Sequence, residues 1–121
     1  METTHGNQQK KIVCIYEMAG TAFLVYAVNI SGGNPIAIAF ALFTVILIGG
    51  PISGGHFNPA VTTGYFISQN KKDYEGNAIL FVMMLASQFI GGLIGICVAF
   101  ASLTNVTVTE NYKKGSIPES E

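Results

Sequence analysis

The sequence predicts an all-α membrane protein with three transmembrane helices and one re-entrant half-helix, on the strength of three observations. Half of its 121 residues are hydrophobic and 11% are charged, against about 25% charged in ordinary soluble domains. The charges are segregated: all but Glu17 fall within residues 1–11, 71–75 and 110–121, which leaves long apolar runs between these islands. Residues 51–57, finally, are irregular in pattern and yet carry no charge. Non-helical backbone is tolerated at membrane depth only where protein buries it or where it lines a water-filled cavity.

Taken in order, residues 1–11 are polar and aperiodic and read as a disordered tail. Residues 12–30 form the first span. Nineteen helical residues at 1.5 Å each reach roughly 28 Å, close to the roughly 30 Å of a hydrocarbon core. The run exceeds the roughly 7–15 residues of a secretory leader's apolar core, so it reads as a span and not as a cleaved signal. Ser31-Gly-Gly-Asn-Pro35 is a cluster of turn-formers, and the short connection it implies makes the next helix antiparallel. Residues 36–50 are almost purely apolar and slightly short for a span unless their flanks extend it; Pro51 and the glycines at 49, 50, 54 and 55 break the pattern. Helical character resumes at Asn58, a favoured N-cap, followed by Pro59 at the first helical position. Residues 58–68 reach about 16 Å, half a bilayer. Residues 69–76 carry Lys71, Lys72, Asp73 and Glu75 and return the chain to water; residues 77–103 form the third span. The membrane domain is thus 12–103, followed by a polar tail at 104–121.

Composition also excludes several functions. A net charge of -1 with six lysines and no arginine offers no basic field for nucleic acid. Cys14 and Cys97 form no disulfide framework and read as small apolar packing residues. His5 lies in the tail and His56 has no companion ligands, so neither marks a metal site. No nucleophile, base and orienter come together, so neither an enzyme nor a cofactor is expected. Lys10, Lys11, Lys71 and Lys72 share one side of the membrane against Lys113 and Lys114 on the other, which places the N-terminus in the cytoplasm.

The stretch Ser53-Gly-Gly-His-Phe-Asn-Pro-Ala-Val-Thr62, set between two apolar spans, closely resembles the first signature loop of the major intrinsic proteins, the aquaporins and glycerol facilitators. Glu17-Met-Ala-Gly-Thr21 resembles a motif of the same family's first span, and Gln88 matches a buried glutamine of its third. The likeness covers about residues 12–103, the N-terminal half of that family's inverted repeat; the second Asn-Pro-Ala loop and its arginine have no counterpart among these 121 residues. The resemblance implies a pore side built from Gly54, Gly55 and His56 through their carbonyls and from Asn58-Pro59-Ala60 at the half-helix start. Ile38, 20 residues before Asn58, matches a pore-narrowing position that is often aromatic, and its aliphatic side chain departs from the water-selective pattern.

Physical chemistry gives the same residues work to do. Asn58 caps a half-helix whose peptide dipoles sum to about half a positive charge at its N-terminal end. That field opposes cations, while the amide can donate to a passing oxygen. Glu17, costing about 3 kcal/mol in a span, is expected to face protein and accept from the loop's amides, with Gln88 as a second polar neighbour. The His56 side chain is expected to be packed and hydrogen-bonded. Gly20, Gly64, Gly91, Gly92 and Gly95 are expected at close helix crossings. The function expected is a passive channel, or channel half, for water and in the wider case small neutral solutes. Its expected partners are the lipid bilayer and a second half-channel or other membrane subunits in an oligomer. The alternative is an aquaporin-like structural subunit of a membrane complex that conducts nothing.

Overall fold

The computed structural model describes the backbone of residues 2–69 and 74–115, and the side chains of 6–69 and 77–104. The described residues form four helices: α1 (Glu2–Ile30), α2 (Pro35–Ser53), α3 (Pro59–Ser68) and α4 (Tyr74–Gly115). Three of them, over Gly6–Ile30, Pro35–Ser53 and Asn77–Thr104, are long and apolar enough to cross a membrane. α3 is the half-helix, 10 residues long.

Helix ends differ from the sequence expectation in instructive ways. α1 starts at Glu2, so residues 2–11 of the polar stretch continue the first helix instead of forming an unordered tail; Met1 lies outside the described residues. α4 likewise runs to Gly115, well into the expected tail at 104–121, of which residues 116–121 lie outside the described residues. Once a span has nucleated a helix, each added residue gains one hydrogen bond for the two dihedrals it fixes, and polar side chains do not prevent this. α2 continues through Pro51 to Ser53, which lengthens the second span to 19 residues. It ends where Gly54 turns left-handed (φ 91°) and donates to the Gly50 carbonyl at 3.0 Å, a conformation natural to glycine.

The turn between α1 and α2 uses left-handed Gly32 and Gly33, then Asn34 as N-cap. Its side-chain oxygen accepts from the amides of Ile36 (3.0 Å) and Ala37 (3.2 Å). α1 packs against both α2 and α4, and α3 packs against α4. Along α4 the buried positions Met84, Gln88, Gly91, Gly95 and Ala99 form one stripe at helical spacing. A Cβ on Gly91 would overlap the Met18 carbonyl, and one on Gly95 the Ala22 carbonyl, so α1 and α4 run parallel at near backbone contact. At Gly64 and Gly92 a methyl group would meet nothing within 4 Å, so neither takes part in such a crossing, contrary to expectation. The outward faces are apolar, with Ile36, Phe40, Leu47, Phe89, Leu93 and Phe100 all exposed.

Candidate functional site

The loop from Gly54 to Asn58 is held by its amides. Gly54 N donates to Gly50 O, Gly55 N to Ser53 Oγ (3.1 Å), His56 N to Glu17 Oε1 (3.0 Å) and Phe57 N to Glu17 Oε2 (2.7 Å). Among the described residues no backbone amide donates to the carbonyls of Gly54, Gly55 or His56. Donors turned toward protein and acceptors left over is an arrangement suited to a polar solute moving past.

Two further devices fix this backbone. Gly54 (φ 91°), Gly55 (φ 68°) and Phe57 (φ 46°) all lie in the left-handed region. For phenylalanine that is strained, and the strain is held by burial: Phe57 is 3% exposed. Its ring fills the notch over Gly20 of α1 and Gly49 of α2, where any Cβ would overlap it. Gly20 is thus a seat for the loop and not a crossing point of two helices.

Glu17 is fully buried and accepts four hydrogen bonds. Besides the two loop amides, Ser53 Oγ donates to Oε1 at 2.6 Å and Gln88 Nε2 to Oε2 at 2.7 Å. An ionised carboxylate only accepts, and hydrogen bonds to a charged group are worth about 1.5–3 kcal/mol each. These four bonds work against the cost of burying the acid, which has no cation beside it among the described residues. Gln88, 1% exposed, spends its second amide proton on Thr62 Oγ1 at 2.8 Å. Thr62 in turn meets His56 Nδ1 (3.1 Å) and donates to the Asn58 carbonyl (3.2 Å). A single network therefore links α1, the loop, α3 and α4.

Of the residues singled out from the sequence, Glu17, His56 and Gln88 meet in this network. Asn58 caps α3 through Oδ1, which accepts from Ala60 N at 2.8 Å, with Pro59 at the first helical position; Asn58 is exposed. Ile38 does not join them. It is half-buried on the α2 face that continues through Ala41, Val45 and Gly49, about 22 Å along the helix from Ser53. Ser53, Phe57 and Thr62 stand in the motif without a role that the sequence assigns. Thr62 could have been found, since it sits one helical turn after Asn58 on the same face; the roles of Ser53 and Phe57 have no local signature. A cavity of about 410 Å³ opens beside the loop, lined by Ser53, Gly54, His56 and Thr62 together with Tyr65, Phe66, Gln69, Asn77, Leu80, Phe81 and Met84. Cys14 and Cys97 are free.

The family model of the major intrinsic proteins matches residues 7–119. The chain belongs to the major intrinsic protein family. It is 38% identical over 80 residues to the probable aquaporin TIP1-1 of Oryza sativa subsp. japonica, covering 62% of this chain and 32% of that one. It is 35% identical over 83 residues to aquaporin TIP1-1 of Zea mays, covering 60% and 33%. A bacterial relative, the glycerol uptake facilitator protein-like 6 of Lactiplantibacillus plantarum, is 37% identical over 86 residues, covering 64% and 38%. The chain thus spans about a third of the length of the curated relatives it matches. No solved structure matches it significantly. Family membership and three helices able to span a bilayer make this major intrinsic protein an integral membrane protein.

Proposed function

We propose that the chain forms one half of a passive membrane channel for water and small neutral solutes. The observation that carries this reading is the loop itself: its amides are bound to Glu17, Ser53 and Gly50, its carbonyls take no backbone partner among the described residues, and it borders a cavity of about 410 Å³ to whose largely apolar wall Ser53, His56 and Thr62 add polar groups. Solutes pass the carbonyls of Gly54, Gly55 and His56 and then Asn58. There the dipole of α3 opposes cations, and the exposed amide of Asn58 donates to a solute oxygen. Glu17 and Gln88 support the loop and touch no solute. Ile38 narrows the path elsewhere with an aliphatic side chain, which widens the solute class beyond water alone.

These helices supply one wall of a lumen. The other wall comes from a second half-channel, carried by the same protein or by other membrane subunits. The N-terminus is cytoplasmic, and with α1 and α4 parallel, a reporter fused after Glu121 is expected on the far side only. Proteoliposomes holding the purified protein with its copurifying subunits are expected to shrink in hyperosmotic solution faster than empty vesicles. Shrinkage at the rate of empty vesicles, with the protein folded, would sink the channel reading and leave a non-conducting structural subunit.

A further inference from the structure

We infer that Thr62 holds His56 in its Nδ1–H tautomer, so that the bare Nε2 faces the cavity and accepts from the N–H or O–H groups of a neutral solute. The inference deepens the channel reading and rests on it for the solute, though not for the tautomer.

The protons around the ring can be counted. The Gln88 atom 2.7 Å from Glu17 Oε2 must be its amide nitrogen, because a carboxylate faces a donor there and not a second acceptor. The other proton of that nitrogen goes to Thr62 Oγ1, 2.8 Å away. The Thr62 hydroxyl then has one proton and two neighbours that could take it: the Asn58 carbonyl at 3.2 Å and His56 Nδ1 at 3.1 Å. If it goes to His56, the contact with Asn58 is left without a proton, and Thr62 makes two hydrogen bonds. If it goes to Asn58, Nδ1 carries its own proton and donates to the second lone pair of Oγ1. Thr62 then makes three bonds. Thr62 is 2% exposed, and in so dry a place the arrangement with the extra bond prevails.

The far side of the ring is left as an acceptor. Nε2 receives no hydrogen bond from the described residues and is not one of their buried unpartnered atoms, so it is accessible, and His56 is one of the residues that line the cavity. It lies beside Gly54, where a Cβ would stand 3.4 Å from it, so a side chain at position 54 would crowd this nitrogen. Tyr65 braces the ring, with centroids 5.1 Å apart. His56 therefore adds a side-chain acceptor to the acceptors of the loop. Solutes rich in N–H or O–H donors, urea and small polyols among them, fit such a wall.

The test is ¹⁵N spectroscopy of histidine-labelled protein in bilayers, at a pH where the ring is neutral, with the His5 signal identified by comparison with His56→Gln. The wild type is expected to give a protonated-type shift at Nδ1 and an unprotonated-type shift at Nε2. Thr62→Val should abolish that preference, and Thr62→Ser should keep it. A proton on Nε2 in the wild type overturns the inference, whether or not the valine variant folds. In proteoliposomes the ratio of urea to water permeability should fall roughly twofold to tenfold in Thr62→Val, the factor carried by one neutral hydrogen bond. An equal loss of both fluxes would make Thr62 merely structural and overturn the solute claim. No flux in the wild type would sink the channel reading, while the spectra would still decide the tautomer.

Discussion

Replacing Glu17 with leucine is expected to lower the unfolding temperature in detergent, although the change makes the first span more apolar. The side chain is fully buried and receives four donors, two of them the backbone amides of His56 and Phe57. Leucine accepts from none of them. A buried donor left unmade costs about 1–3 kcal/mol, so the two amides alone cost about 2–6 kcal/mol, a large share of a typical 5–15 kcal/mol of stability. Glu17→Gln, which keeps one oxygen, should lose less. Thr21, one turn further along α1, serves as the control. Its hydroxyl is buried and has no partner in the described structure, so Thr21→Val removes a desolvated group at little cost in shape and should leave the melting temperature unchanged or raise it. Equal melting of wild type and Glu17→Leu would remove Glu17 from its place as the support of the loop.

The second large effect separates two adjacent glycines. Gly91→Ala is expected to destabilise the protein by about 1–3 kcal/mol, as overpacking does. The added methyl would meet the Met18 carbonyl, and backbone cannot swing aside as a side chain can. α1 and α4 must part, and the stripe of Met84, Gln88 and Gly95 moves with them, carrying the Gln88 bonds to Glu17 and Thr62. Gly92→Ala meets nothing within 4 Å and should gain up to about 1 kcal/mol from the better helix propensity of alanine. Denaturation of both variants in the same detergent gives the comparison. Shifts of the same sign and size would show that the crossing at Gly91 is looser than the backbone geometry says.

Much of the fold can be read along the chain because the forces that set it act within a few residues. Apolar runs of membrane length, the Ser31-Gly-Gly-Asn-Pro35 turn, and Asn58 with Pro59 at the start of α3 are local features, and the structure has each of them. The helix limits are less legible. Residues 2–11 and much of 104–115 look like tails by composition, yet helix propagates into them from the spans. Pro51 looks like a breaker, yet α2 passes through it for two more residues.

The site divides in the same way. That a lone acid at position 17 must find donors follows from the cost of burying it, and is legible along the chain. Which donors it finds depends on how the helices pack, because they come from 36, 39, 40 and 71 residues away. Nor does glycine content say which glycine is used: Gly91 and Gly95 touch a neighbouring backbone, Gly20 and Gly49 seat the Phe57 ring, and Gly64 and Gly92 face open space. Every helical glycine looks alike along the chain. What separates them is the rotation and register of one helix against another, and these are set by packing summed over whole faces, not by any residue and its near neighbours.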